Sequence, residues 1–309
     1  MYRSFDFYDL MLYFSDIELK ITELLKGNIM KFQKNLYQVP GLVLFAVLLA
    51  GCGKNLDKQR IAVDESKGIY FSENKQTLEK YNEKLSEKEY ATPSGLTAIG
   101  ARAFEKCSKL TNVTISDGVI SIGERAFLKC GRLTTVAIPA SVSTIDDYAF
   151  EDCTDLTTAV IPGRLKTLGK GIFRNCRKLT SVTIPDSVTK IGYQAFYNCE
   201  SLTSANIPAG VTEIGDSAFE ECENLTSMTI PSNVTEIGAN AFKKCKKLSH
   251  VTLPEGLKSI GAGAFEDCKH LQRIIVPKSV KSIGARAFHN CPCEKQVKAE
   301  YSNLYNYEK

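Results

Sequence analysis

The chain has 309 residues with 39 Lys and Arg against 35 Asp and Glu, a net charge of +4. So small an excess predicts no nucleic-acid partner, because phosphate binding needs a concentrated basic surface. The chain has no tryptophan, and 43% of its residues are hydrophobic, which suits a folded ectodomain.

In chain order, the first element is an N-terminal targeting region. Leu42 to Ala50 (LVLFAVLLA) is uniformly apolar, yet with its flanks it reaches only about 13 residues, short of the roughly 20 that span a bilayer. It reads as the core of a signal peptide, and it ends in Leu49-Ala50-Gly51-Cys52. That L-A-G-C sequence resembles the bacterial lipobox, which makes Cys52 the expected lipidation site and mature N-terminus. Signal peptides begin with a short basic segment, whereas residues 1–29 carry five acidic and three basic side chains. Met30, followed by Lys31 and Lys34, supplies such a start. Residues 30–51 are therefore read as a lipoprotein signal peptide and residues 1–29 as a gene-start artefact. Residues 52–64 are polar and read as a tether.

Residues 65–96 are read as an N-terminal cap containing a degenerate repeat, since Thr92-Pro93-Ser94-Gly95-Leu96 matches the I-P-x-x-V of later units. A helix over Lys75 to Glu89 competes with that reading, because Leu78, Tyr81 and Leu85 fall at helical spacing.

From residue 97 to 293 the chain repeats. Nine cysteines, Cys107, Cys130, Cys153, Cys176, Cys199, Cys222, Cys245, Cys268 and Cys291, recur every 23 residues without insertion or deletion. Each unit reads V-x-x-I-G-x-x-A-F-x-x-C-x-x-L-x-x-V-x-I-P-x-x, with Phe104 through Phe288 three residues before each cysteine and Leu110 through Leu271 three after. A leucine-bearing period of about 20–29 residues is the signature of leucine-rich repeats. One unit cannot bury its own apolar face, so neighbours must stack and share a core.

Within a unit, L-x-x-V-x-I reads as a strand that the following proline, Pro139 through Pro277, terminates. V-x-x-I reads as a second short strand. The glycine after it, Gly100 to Gly284 with Asp146 as the exception, opens a turn into G-x-x-A-F-x-x-C, read as one helical turn. The expected fold is an α/β repeat solenoid of mostly short parallel strands with one helical turn per rung. Residues 294–309 depart from the pattern and form a C-terminal cap or tail.

The repeat unit behind a lipobox resembles the BspA-like leucine-rich repeat proteins of anaerobic and spirochaetal bacteria, over residues 92–293. The resemblance implies surface exposure, adherence to host matrix proteins or cells, and co-aggregation with other bacteria. It implies no particular ligand.

Nothing in the chain resembles catalytic machinery, and no enzyme activity, cofactor or metal is expected. His250, His270 and His289 stand beside no nucleophile or phosphate motif. Zinc sites use paired C-x-x-C spacing, and the only close cysteine pair is Cys291-Pro292-Cys293. One cysteine per repeat reads instead as a buried free thiol aimed at a backbone carbonyl. Carboxylates face cations one unit away: Glu151, Asp152 and Asp155 against Arg174, Arg177 and Lys178, and Glu220, Glu221 and Glu223 against Lys243, Lys244, Lys246 and Lys247. Such stacking fixes register.

The outward strand face pairs Asn112/Thr114, Thr135/Ala137, Thr158/Val160, Ser181/Thr183, Ser204/Asn206, Ser227/Thr229, His250/Thr252 and Arg273/Ile275. Seven of these eight rungs carry no Lys, Arg or carboxylate there. Ser181, Thr183, Ser204, Asn206, Ser227, Thr229, His250, Thr252 and Arg273 are the candidate ligand-binding residues, with the His250 and Arg273 end as anchor. The expected partner is a protein or glycan, host extracellular matrix included, and the membrane is met only through the lipid on Cys52. The expected location is the bacterial outer membrane or cell surface. An envelope scaffold facing the periplasm, with no host ligand, is the competing reading.

Overall fold

The computed structural model describes residues 67–305, so the readings for residues 1–64, Cys52 among them, lie outside the described residues. The chain coils into a leucine-rich repeat β-solenoid of about nine turns, built on two parallel sheets. Three-residue strands of L-x-x-V-x-I form one sheet, such as Ser181–Thr183 beside Ser204–Asn206. Two-residue strands of V-x-x-I form the other, such as Glu236–Ile237 beside Ser259–Ile260. Partners lie one repeat apart because no rung has an insertion, so Ser181 meets Ser204 and Val182 meets Ala205.

The recurring apolar side chains pack between the sheets. The nine phenylalanines are fully buried and stack face to face, with centroids 4.8 to 5.6 Å apart. At one end the column closes on Tyr81 and Tyr90, both within 5.9 Å of the Phe104 ring. Cysteine fills the gap beside this column. From Cys130 to Cys291 each thiol donates to the carbonyl of the phenylalanine in the preceding rung, for instance Cys199 to Phe173 at 3.2 Å. All ten described cysteines are buried free thiols. Desolvation pushes Cys153, Cys176, Cys199, Cys222 and Cys245 well above the ordinary thiol range, which keeps them protonated as donors.

The segment G-x-x-A-F-x-x-C is not a helical turn, and here the structure corrects the sequence reading. A helix bonds each N–H to the carbonyl four residues back. Here Ala103 N–H donates to Gly100, Glu105 to Arg102 and Cys107 to Phe104, all three residues back. The intervening N–H groups of Arg102, Phe104 and Lys106 donate across to Glu124, Ala126 and Leu128 of the next rung. Two residues per rung take positive φ to allow this, Arg102 at +59° and Lys106 at +61° in the first. A left-handed residue breaks any helix, and Asn, Asp and Gly tolerate it best. Those types occupy the equivalent sites at Asp152, Gly171, Asn175, Asn198, Asn240, Gly263, Asp267 and Asn290.

Glycine opens this segment for a different reason. A Cβ on Gly123, Gly215, Gly238, Gly261 or Gly284 would lie within 2.8 Å of backbone atoms of the preceding rung. The column is glycine because adjacent main chains approach too closely for a side chain. At Asp146, the exception, the second sheet divides: Thr144–Ile145 ends one ladder and Thr167–Leu168 begins the next.

The first sheet is divided as well, into ladders over Glu89–Ala91 to Thr135–Ala137, Thr158–Val160 to Ser204–Asn206, and Ser227–Thr229 to His250–Thr252. A spine of hydroxyls runs alongside it. Thr111, Thr134, Thr157, Thr180, Thr203, Thr226 and Ser249 each donate to a carbonyl one rung back.

The segment Lys75 to Glu89 contains the strand Thr77–Lys80 and no helix, and Leu78 in it is fully buried. At the other end the helix Glu294–Tyr301 covers the last rung with Val297 buried.

Ion pairs link rungs on the turn side at the one-repeat spacing. Glu151 meets Arg174, Asp155 meets Lys178 at 2.8 Å, Glu221 meets Lys244 at 2.6 Å and Glu223 meets Lys246 at 2.6 Å. Asp152 accepts a bond from Asn175 at 2.7 Å, and Arg177 pairs with Glu200 of the next rung at 3.5 Å. Glu266, only 6% exposed, lies between Arg286 and Lys243. Hydrogen bonds from Arg286 and then Lys243 hold its carboxyl below the usual range. A lowered folded-state pKa adds stability above the unfolded value of about 4.3, and that stability is lost as pH falls through the folded value. Glu266→Gln is expected to cost about 1–3 kcal/mol at pH 7. The deficit should shrink in urea melts below pH about 4, and an equal deficit at both pH values would remove the charge from the account.

Candidate functional site

Strand alternation sends the middle residue of each three-residue strand into the core and the flanking two to solvent. Ser181, Thr183, Ser204 and Asn206 are exposed in one ladder, with Ser181 opposite Ser204 and Thr183 opposite Asn206. Ser227, Thr229, His250 and Thr252 are exposed in the next, with Ser227 opposite His250 and Thr229 opposite Thr252. The structure thus brings eight of the nine candidate residues onto one sheet face, in two separately paired groups. Val160 projects from the same face, 71% exposed.

Arg273 is the correction. It is exposed, but residues 271–277 form no strand, so the paired face ends at Thr252. The side-chain hydrogen bonding also differs there. The spine position after Leu271 is Gln272 rather than Thr or Ser, which removes the hydroxyl bond to the rung before. The carbonyl of Ile274 is instead capped by Gln296 Nε2 at 3.2 Å, from the C-terminal helix. His250 Nδ1 lies 2.8 Å from Ser249 Oγ and His270 Nδ1 lies 2.6 Å from the Lys246 carbonyl, so both imidazoles are held close to the coil.

A second surface was not singled out from the sequence. The second sheet carries a shallow groove of about 650 Å³, floored by Gly192, Gly215 and Gly238 and edged by Lys190, Glu213, Tyr193 and Asp216. Its signal was the glycine column itself, since main chain without side chains leaves a trough between the flanking rows. Lys190 and Glu213, neighbours on one edge of it, pair at 2.8 Å.

Among the described residues, no three of His, Cys, Asp and Glu lie close enough to share a metal ion. No helix among them is long and apolar enough to cross a membrane.

The family described as BspA type leucine-rich repeat region matches residues 79–203 and 189–305. The chain belongs to this family. Its match runs through both sheets and into the C-terminal helix. Among solved structures, a leucine-rich repeat protein of T. pallidum is similar at 27% identity and a TM-score of 0.52, over 58% of this chain and 86% of that one. A leucine-rich repeat protein of Bacteroides ovatus is similar at 26% identity and a TM-score of 0.48, over 72% of this chain and 66% of its own. No curated protein matches the sequence. The BspA-type fold makes this a leucine-rich repeat scaffold suited to protein interaction.

Proposed function

We propose that this scaffold is a surface-anchored adhesion module that binds a protein or glycan of the host matrix through the hydroxyl-rich face of its first sheet. The observation that carries the reading is the separation of charge between surfaces. From Asn112 to Thr252 the strand face presents hydroxyl, amide, small apolar and, at His250, imidazole side chains, while the turn side holds many charges tied into ion pairs. An uncharged face can be covered by a partner without leaving a desolvated ion, and its hydroxyls and methyls offer hydrogen bonds and apolar contact together. Repeat scaffolds use extended surfaces of this kind. The anchor is the expected lipid on Cys52.

The test is binding to immobilised basement-membrane extract. Ser204→Arg combined with Thr229→Glu places bulky charge on two exposed sites and should abolish binding while the thermal melt stays unchanged. Lys247→Glu, on the turn side, should leave binding intact. Retained binding in the first variant, or loss in the second, would move the partner to another surface. Protease shaving of intact cells addresses the anchor, because only an outward-facing protein is cut.

A further inference from the structure

One corner of the molecule breaks the charge pattern of the rest. From the third rung onward, many turn-side charges pair with an opposite charge one rung away: Asp155 with Lys178, Arg177 with Glu200, Glu221 with Lys244, Glu223 with Lys246. In the first two rungs the columns of Glu221 and Asp155 hold only cations. Lys106 and Lys129 are one repeat apart in one column, and Lys109 and Arg132 are one repeat apart in the column beyond the cysteine. Adjacent rungs are about 4.8 Å apart, so these form a two-by-two array of cations in which stacked neighbours repel.

The surroundings offset the array only in part, although Asp152 and Asp155 stand one repeat beyond Lys129 and Arg132 in the same columns. Glu105 reaches Lys106 at 3.6 Å and also pairs with Arg102 at 3.2 Å. Among the described residues, Lys109, Lys129 and Arg132 have no carboxylate within ion-pair distance. The acids of the third rung turn the other way: Glu151 to Arg174, Asp152 to Asn175 and Asp155 to Lys178. The preceding segment mixes Glu83, Glu87 and Glu89 with Lys84 and Lys88, and none of these pairs with the array. The array is therefore a narrow cationic strip with carboxylates on both sides along the coil.

We infer that Lys106, Lys109, Lys129 and Arg132 form a binding site for a single anionic chain, a sulfated polysaccharide. A narrow strip selects this geometry. A broad anionic plane such as a membrane surface would be pressed against the flanking carboxylates of the third rung and of the preceding segment. A lone chain crossing the first two rungs meets the cations and avoids those acids. Sulfate esters carry fixed negative charge, which suits ammonium and guanidinium donors. The site is separate from the hydroxyl face and does not depend on it.

Heparin serves as the probe, with the full chain held in neutral detergent. Two double variants remove the charges using residues the repeat already carries in the same columns. Lys106→Asn with Lys129→Asn copies Asn175 and Asn198, which hold the same positive φ. Lys109→Ser with Arg132→Ser copies Ser201. Each pair should weaken heparin binding about tenfold, and wild-type binding should weaken steeply as salt is raised. Lys244→Asn with Lys246→Ser, which removes cations already paired to glutamates, should change it little. The hydroxyl-face variant Ser204→Arg with Thr229→Glu should bind heparin like wild type, so this site and the adhesive face can fail independently. The inference is overturned if both array variants bind heparin normally, if the paired-cation control loses binding equally, or if the array supports binding only to phosphatidylglycerol vesicles.

Discussion

Phe219→Ala is expected to destabilise the domain by about 3–5 kcal/mol, the range for truncating a buried aromatic ring. The ring is fully buried, with Phe196 stacked on one side at 5.2 Å and Phe242 on the other at 5.5 Å. Its removal opens a cavity that both neighbours line. Neither can collapse into it without dragging its rung out of register with two sheets. Phe288 has a phenylalanine on one side only, Phe265 at 5.3 Å. Phe288→Ala should therefore fray the last rung and the terminal helix while the middle keeps its protection. Stability in a stacked array sums over nearest neighbours, so urea melts should separate the two variants and hydrogen exchange should place the second defect at the C-terminal end. Equal global losses would contradict a one-dimensional array.

Gly238→Ala is expected to cost about 1–3 kcal/mol, as overpacking does, although it adds a single methyl group. The new Cβ would stand 2.6 Å from Asp216 N and 2.6 Å from the Gly215 carbonyl carbon. Both are main-chain atoms, which cannot rotate aside. The pairing of Ile214 with Ile237 should open in response, as the second sheet is already open at Asp146. Gly163→Ala is the control, since nothing lies within 4 Å of its added Cβ, and it should stay within about 0.5 kcal/mol of wild type. Thermal melts of the two variants decide the matter. A silent Gly238→Ala would mean that close approach is not what keeps the column glycine.

The stacking is legible in the sequence because the repeat is strict. A side chain recurring every 23 residues must meet its own kind one rung away, so the Phe column and the Glu221 to Lys244 type of pair follow from phase alone. The backbone of the turn segment does not. Gly100, Ala103, Phe104 and Cys107 fall at the spacing of one helical face, and periodicity cannot distinguish a helix from successive three-residue turns that bury the same side chains. The distinguishing signal lies in the variable positions, where Asp152, Asn175, Asn198 and Asn290 mark a left-handed site. It is masked because Lys106, Lys129 and Glu221 hold the same conformation against their preference. The strand face is legible through Thr252, and at Arg273 the alternation of exposed and buried positions continues without a paired strand. There the consensus apolar positions persist, and the change lies in hydrogen bonding, such as the Gln296 bond to the Ile274 carbonyl, which no apolar pattern records. Rungs one and two keep the phase while departing from the charge pattern, so the cationic array emerges only once each ion pair is assigned.

The terminal helix has a consequence for how such a protein can change size. Gln296, Val297 and the bond from Cys293 N–H to the Leu271 carbonyl fit the final rung alone, so growth beyond it would have to rebuild the lid. Between the two ends one junction recurs from rung to rung. Whole 23-residue units can therefore be gained or lost from the interior by unequal recombination, each moving the lid by about 4.8 Å and leaving both ends intact. Reach becomes a quantity that inheritance can adjust in fixed steps, independently of the chemistry carried on any single rung.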